Sequence, residues 1–266
     1  MTRLFRLLLL ATPTLLLAAC AGTPPATEAA SSSVSRNPEV RIERVKQRFV
    51  MTPAVTRLRI HNPWGDVHLK SMVDTDLGIY AVVQRIDDAA PAPQFDFRSQ
   101  ADWATLEVVY AAPFPPGSSG RVDLVVYLPP LADIDIETVA GSIRGKQLTA
   151  NLHANSRSGD ILVASSGRLQ LASQSGNVRA TQIGGKWIGD AFLTSTSGLV
   201  ELLIPAASEV ALDVQSGVGI DESFGAALQT QHRDPHHLRG ELGSGEVKLR
   251  LRIRSAGEVI LRPFDR

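Results

Sequence analysis

One six-residue phrase, built around a small polar turn, keeps returning through the middle of this chain. It reads Thr138-Val139-Ala140-Gly141-Ser142-Ile143, Ser156-Arg157-Ser158-Gly159-Asp160-Ile161, Ser173-Gln174-Ser175-Gly176-Asn177-Val178 and Ser195-Thr196-Ser197-Gly198-Leu199-Val200. A decayed copy follows at Val214-Gln215-Ser216-Gly217-Val218-Gly219. The marker glycines stand 18, 17, 22 and 19 residues apart. A period near twenty is the mark of a stacked-repeat architecture.

Registered on its glycine, each copy carries the same apolar pattern. Ile134, Leu152, Leu169, Ala191 and Val210 stand seven residues before it, and Ile136, Ala154, Leu171, Leu193 and Leu212 five before. Ile143, Ile161, Val178 and Val200 stand two after it, and Val163, Ala180 and Leu202 four after. Apolar residues two apart on both sides of a polar corner predict two short strands with one buried face. The glycine is expected to lend the corner backbone freedom, and its Ser, Thr and Asn neighbours to bond local backbone. A single corner cannot bury its own apolar row, whereas copies stacked at about 4.8 Å per layer can. The expected fold is all-β, a β-solenoid of stacked, parallel β-helix-like coils.

Ahead of the repeats the pattern lengthens. Residues 39–130 hold candidate strands at Arg41 to Val50, Val55 to His61, Asp66 to Lys70, Gly78 to Ile86, Gln94 to Arg98, Ala104 to Ala111 and Arg121 to Leu128. Proline and glycine clusters at 91–93 and 113–120 mark exposed connections. His61-Asn62-Pro63-Trp64-Gly65-Asp66-Val67 repeats the glycine–acid–valine phrase. This part is therefore either the start of the solenoid or a β-rich cap on its end, where an open edge invites aggregation. Residues 131–266 hold the repeats, and 39–266 reads as one continuous domain. After Ile220 the repeat loosens, and Asp221 to Gly240 reads as a long polar loop. Two more copies follow, around Gly245 and Gly257. Lys248, Arg250, Arg252 and Arg254 alternate with Val247, Leu249, Leu251 and Ile253, which reads as a basic solvated row on a final, edge-protecting coil.

The N-terminus reads as a targeting segment. Arg3 and Arg6 precede the apolar stretch Leu7 to Leu17, too short for a spanning helix and laid out as a secretory signal. Leu17-Ala18-Ala19-Cys20 resembles a bacterial lipobox, which implies a lipoprotein signal peptide over 1–19 and an acylated Cys20 at the mature N-terminus. The alternative is an ordinary signal cut at an Ala-x-Ala-like site. Cys20 is the only cysteine, so intramolecular disulfides are excluded, and acylation accounts for a lone thiol in a secreted chain. Ala21 stands where inner-membrane retention would call for Asp, so the expected location is the cell envelope, at the outer membrane. Residues 20–38 are small, polar and proline-containing, a disordered tether. Removing the first nineteen of 266 residues leaves 247, enough for a sizeable core. The precursor balances 27 basic against 27 acidic residues, and losing Arg3 and Arg6 leaves a net charge of −2. That argues against a nucleic-acid partner.

Taken in order, the phrases at 61–67, 138–143, 158–161, 175–178, 243–247 and 256–259 resemble the bacterial putative-adhesin family of unknown function, a β-solenoid of repeated Ser-Gly-Asp-Ile/Val turns. The resemblance covers most of residues 55 to 262. It implies the fold and carries no catalytic residue across. This chain departs from the common form at Asn177, Leu199 and Val218, where an acid is usual.

Catalytic signatures are absent from the sequence: no Gly-x-Ser-x-Gly elbow, His-Glu-x-x-His, phosphate loop or dinucleotide fingerprint occurs. Sugar hydrolysis on a β-helix needs two carboxylates about 5–10 Å apart. Stacking supplies Asp160 with Asn177, Leu199 and Val218 as successive neighbours, so the acid ladder stops after one rung, and Asp66, Glu246 and Glu258 share its position elsewhere. His232, Asp234, His236 and His237 are ligand types in one loop, but no second spaced motif supports them, and no metal or cofactor is expected. Ser158, Ser175, Ser197, Ser216 and Ser244 recur because the turn favours a small polar residue. Trp64, Trp103 and Trp187 are expected to be buried or to cap the sheets. The sequence thus predicts a non-catalytic, lipid-anchored envelope protein. It would meet the membrane through Cys20 and an envelope protein or glycan through outward residues such as Gln170, Arg179 and Gln215. A carbohydrate-active enzyme and an envelope-stress accessory protein are the alternatives.

Overall fold

Apolar–polar alternation at a period of two gives each short segment one face to bury, and parallel pairing of successive copies closes those faces into one interior. The structure, a computed structural model, describes residues 40–86, 89–183, 188–244, 246 and 249–264. The signal segment, Cys20, the tether, Trp187, Gly245, Val247 and Lys248 lie outside the described residues. The first strands are β1 (Val40–Phe49), β2 (Arg57–Trp64), β3 (Val67–Ser71), β4 (Leu77–Ile86), β5 (Pro93–Gln100), β6 (Trp103–Tyr110) and β7 (Ser119–Leu128). The repeats form β8 (Asp133–Ala140), β9 (Ile143–Leu148), β10 (Asn151–Ser156), β11 (Ile161–Ser165), β12 (Leu169–Ser173), β13 (Val178–Gln182), β14 (Gly189–Ser195) and β15 (Val200–Pro205). Then come β16 (Val210–Ser216), β17 (Ile220–Glu222), β18 (Leu228–Arg233), β19 (His237–Leu242), β20 (Leu249–Ser255) and β21 (Val259–Phe264).

Each coil sends one strand to each of two sheets and turns at the glycine corner. Among the described residues one sheet runs β1-β4-β7-β3-β9-β11-β13-β15-β21-β17, and the other β18-β19-β16-β20-β14-β12-β10-β8-β2-β6-β5. From β8 to β15 the coils stack in sequence order and in register. Ile134, Leu152 and Leu169 are successive neighbours in one sheet, and Ile143, Ile161, Val178 and Val200 in the other. Every residue assigned to the interior from the glycine register is buried, within one apolar cluster that reaches from Met51 to Leu261. Residues 38–266 form one compact unit holding that entire cluster, so this segment carries its own core.

Both ends depart from simple succession. Coil β2–β3 packs directly against β8–β9, and β6–β7 lies outside it, although β6–β7 comes between them in the chain. At the other end β20–β21 inserts between β14–β15 and β16–β17. The basic row is therefore not on a final edge coil. Arg250, Arg252 and Arg254 stand between Asp190, Phe192 and Thr194 on one side and Ala211, Asp213 and Gln215 on the other. This central place suits a strand whose alternate residues Leu249, Leu251 and Ile253 are fully buried. Nor is Asp221–Gly240 a loop, for it contains part of β17, a 3-10 turn at Gly225–Ala227, β18 and most of β19. The hairpin β18–β19 pairs antiparallel onto β16. Only Leu228 of β18 is buried, so no alternation betrays that strand.

The corner glycines are needed for a different reason from the one their sequence pattern implied. Gly141, Gly159, Gly176 and Gly198 do not have positive φ; of the corner glycines in this column only Gly65 does, at 114°. A Cβ on Gly159 would lie 1.9 Å from the Gly141 carbonyl oxygen, and one on Gly176 2.1 Å from that of Gly159. Each glycine lets its own backbone sit directly on that of the preceding corner.

Candidate functional surface

The corner column is where an acid–base site would have to be built. A hydroxyl or amide three residues before the glycine points inward and bonds backbone. Ser156 Oγ donates to the Gly141 carbonyl at 3.1 Å, Ser173 to Gly159 at 2.9 Å and Ser195 to Gly176 at 2.7 Å. Asn62 Nδ2 does the same to Gly65 and Val122. Ser158, Ser175 and Ser197 each donate to a carbonyl of the preceding coil. These serines are ladder rungs and not nucleophiles.

The residue after the glycine caps the next coil. Asp66 Oδ1 accepts the Ser142 N–H at 2.9 Å, Asp160 Oδ1 accepts the Asn177 N–H at 2.7 Å, and Asn177 Oδ1 accepts the Leu199 N–H at 3.0 Å. Asparagine performs this task as well as aspartate, which explains Asn177. Ser142 separates Asp66 from Asp160, and Asn177 and Leu199 separate Asp160 from the corner of Gly257–Glu258, which stacks on Gly198. From Asp66 to Glu258 the column brings no two carboxylates into adjacent layers; on the other side of Asp66 lies Asp123, but its Oδ1 accepts the Asp66 N–H at 3.0 Å and Arg121 bridges both acids.

The histidine cluster sits at the tip of the β18–β19 hairpin. Asp234 Oδ1 accepts the backbone N–H groups of His236 and His237, each at 2.7 Å, which builds the turn. Its Oδ2 lies 3.1 Å from His232 Nε2, and His237 Nε2 lies 3.2 Å from Asp213 Oδ1 on β16. His236 Nδ1 lies 3.1 Å from the Ser216 carbonyl and is turned away from the group. The donor atoms of His232, Asp234 and His237 are within 4.8 Å of one another, so among the described residues these three could hold a metal ion. Each already has a hydrogen-bond partner, and the cluster serves as the stitching of a hairpin to its sheet.

The two outer faces differ in charge. On the eleven-stranded sheet opposite charges meet across strands: Arg57 with Asp133 and Asp102, Arg59 with Asp135, and Arg239 with Asp213. Arg57 and Arg59 also lie over the Trp103 ring, 5.4 and 5.2 Å from its centroid. Trp103 is half-buried beneath them, and Trp64, expected to be buried or capping, is 38% exposed at the end of β2. His153 Nδ1 lies 3.3 Å from Asp135 Oδ1. The hydrogen bond to Asp135 raises the His153 pKa against the effect of burial, and the same bond lowers that of Asp135. A hollow of about 190 Å3 opens beside this group, between Trp103, His153 and Arg168. This constellation was missed in the sequence, although Asp135 and His153 share one repeat position, six residues before the glycine. Gln170 lines the same hollow, Gln215 is bonded by Arg254, and Arg179 pairs with Glu201 at 3.0 Å on the opposite sheet.

On the ten-stranded sheet the register aligns Lys46, Tyr80, Val125, His68 and Arg144 in one row, and Gly78, Tyr127, Lys70 and Lys146 in the next. Lys46, Lys70, Arg144 and Lys146 thus come onto one face from strands far apart in the chain, so no local charge run marks them.

Comparison with solved structures finds likenesses at low identity. A "putative cell adhesion protein" from Clostridium sporogenes is 13% identical, with 85% of this chain and 99% of that one covered and a TM-score of 0.47. A "putative adhesin" from Bacteroides fragilis is 12% identical, with 83% and 97% covered and a TM-score of 0.35. No curated protein matches the chain. A family model, in contrast, matches residues 54–261, nearly all of both sheets. The stacked corners, the two sheets and that match together assign the chain to the Toastrack DUF4097 family.

Proposed function

We propose that the chain is a non-catalytic, adhesin-like recognition or scaffold module of the bacterial envelope, held by a lipid on Cys20 at the outer membrane, which binds a protein or glycan through the outer faces of its sheets. One observation carries this reading: the polar groups of the corner column bond the next coil's backbone, as Asp160 does Asn177, so chemical variety is left to the faces. Among the described residues no helix is long and apolar enough to cross a membrane, which fits attachment by a lipid.

The test exposes residues 38–266 to envelope fractions (glycolipid, peptidoglycan, solubilised membrane proteins) and assays reducing-sugar release in the same wells. Capture of a fraction without new sugar ends, weakened by changes at outward positions such as Gln170 and Arg179, supports a binding module. Ile161→Asp, which puts a charge in the core, serves as the folding control. Sugar release that Asp160→Asn abolishes would overturn the reading in favour of an enzyme.

A further inference from the structure

The outer face of the ten-stranded sheet changes character along its length. From β11 onward its charges are matched: Arg179 pairs with Glu201, and Arg262 with Asp221. From β1 to β9 they are matched only in part, by pairs such as Arg121 with Asp123 and Arg48 with Asp76. Lys46, Lys70, Arg144 and Lys146 are exposed, and none makes an ion pair among the described residues. The acids nearby are already engaged, Asp74 and Asp76 by Arg48 at 2.7 and 2.9 Å, and Asp123 by Arg121 at 2.5 Å. His68, half-buried in the middle of the patch, has its pKa lowered by burial and then by Lys70, Arg144 and Lys146.

Two tyrosines are interleaved with these cations. Lys46 Nζ lies 5.9 Å from the Tyr80 ring centroid, and Lys70 Nζ 5.7 Å from that of Tyr127. Gly78, between Arg48 and Tyr127 in the register, leaves a gap in the face. A hollow of about 460 Å3 opens there, lined by Lys46, Met72, Tyr80 and Tyr127 among others. From Lys46 to Arg144 the patch spans four interstrand steps, about 19 Å. A flat, positively charged field of that breadth suits a surface of repeated anionic groups, and tyrosines with an apolar body and a polar tip suit headgroup depth. The patch also includes β1, the strand by which the chain enters the body, and Cys20 precedes Val40 by twenty residues.

We propose that this N-terminal half of the ten-stranded face docks the body onto a membrane leaflet by taking anionic phosphate headgroups with Lys46, Lys70, Arg144 and Lys146. The proposal rests on the binding-module reading and names one partner for it. Attachment would then hold the body flat against the leaflet and turn the eleven-stranded face, whose own basic row Arg250, Arg252 and Arg254 serves below as the control, away from it.

The experiment is flotation of residues 38–266, without lipid, with vesicles of phosphatidylcholine alone or mixed with phosphatidylglycerol. Binding to the anionic vesicles only, released as salt rises from 0.1 to 0.5 M, is expected. Each cation near such a surface is worth about fivefold in affinity, so the variant K46Q/K70Q/R144Q/K146Q should lose more than about tenfold. The charge-matched variant R239Q/R250Q/R252Q/R254Q, changed only on the other sheet, should stay within about twofold of the parent. Equal losses in the two variants, or equal binding to both kinds of vesicle, would overturn the proposal. Retention by a soluble anionic polysaccharide through the same four residues, with vesicles ignored, would overturn it too and give the patch to a glycan. If vesicles fail while an envelope fraction is still captured, the module survives without membrane docking. Far-UV circular dichroism and melting temperature keep misfolded variants out of the comparison.

Discussion

The four coils from β8 to β15 and the coils at either end are built from the same kind of corner but stacked by different rules. In the middle each coil lies on the one before it in the chain, and every neighbour pairing joins segments about twenty residues apart. At the C-terminal end Leu249–Ser255 inserts between two strands that precede it, and joins Gly189–Ser195, sixty residues earlier. A repeat in sequence fixes what one coil looks like, because the coil is local. It does not fix which coil lies on which, because any two apolar faces of the same width can stack. Period and order are therefore separate pieces of information.

The largest effect that separates the regions comes from deleting the inserted coil. A chain ending at residue 248 loses five fully buried apolar side chains, Leu249, Leu251, Ile253, Val259 and Leu261. At about 1.5–3 kcal/mol each this is on the order of 10 kcal/mol. It also leaves β16 and β17 without the strands that join them, and through β16 the β18–β19 hairpin, to the stack. Amide exchange is expected to lose protection over 210–242 as well as at the new terminus. If 210–242 stays protected, the insertion is wrong and the coils stack in chain order.

Next come the corner glycines. Gly159→Val forces a side chain into the Gly141 carbonyl and should cost about 3 kcal/mol or more in denaturant unfolding. Gly257→Val should cost less, since the Cβ clearance there is 2.6 Å and not 1.9 Å. Gly117, with nothing within 4 Å but a φ of +82°, bears only the backbone strain. Equal costs at 159 and 257 would show that the middle and end corners are packed alike.

The smallest effect concerns two adjacent coils of the middle, joined by Asp135 and His153. The His153 pKa is raised, so its contribution is present in full below about pH 6.5 and lost as pH climbs through the raised value. The Asp135 pKa is lowered, so its contribution is present above about pH 4 and lost as pH falls through the lowered value. Both act together between about pH 4 and 6.5. Because the pair is partly exposed, His153→Ala should cost only about 0.5 kcal/mol at pH 5.5 and almost nothing at pH 9. A cost that does not change with pH would mean packing, not charge, joins these coils.

The interior of the middle coils was fully legible in the sequence, since counting from the glycine named Ile134, Leu152, Val178 and their counterparts, and all are buried. The break in the acid ladder after Asp160 was legible as well, because the next corner carries Asn177; that Asp160 accepts the Asn177 N–H was not, because a bond between coils shows only once they stack. The insertion of β20–β21 was not legible: its alternation is as regular as that of a terminal coil, and only pairing partners distinguish the two. The β18–β19 hairpin escaped because a strand with one buried residue carries no period. The cationic patch escaped because β3 and β9 pair only after the N-terminal coils have changed order, and β1 joins their face through β4 and β7.

The corner column has one more consequence. Where a Cβ would stand on Gly141, Gly159 and Gly176, the carbonyl oxygen of the adjoining corner glycine lies about 2 Å away. The position is filled instead by the glycine's second α-hydrogen, which therefore points at that oxygen. Each such Cα–H···O contact is worth about 0.5–1 kcal/mol. The column is thus a line of weak donors and acceptors running along the stack, at right angles to the course of each strand. It adds attraction between corners where neither the strand ladders nor the apolar interior reaches.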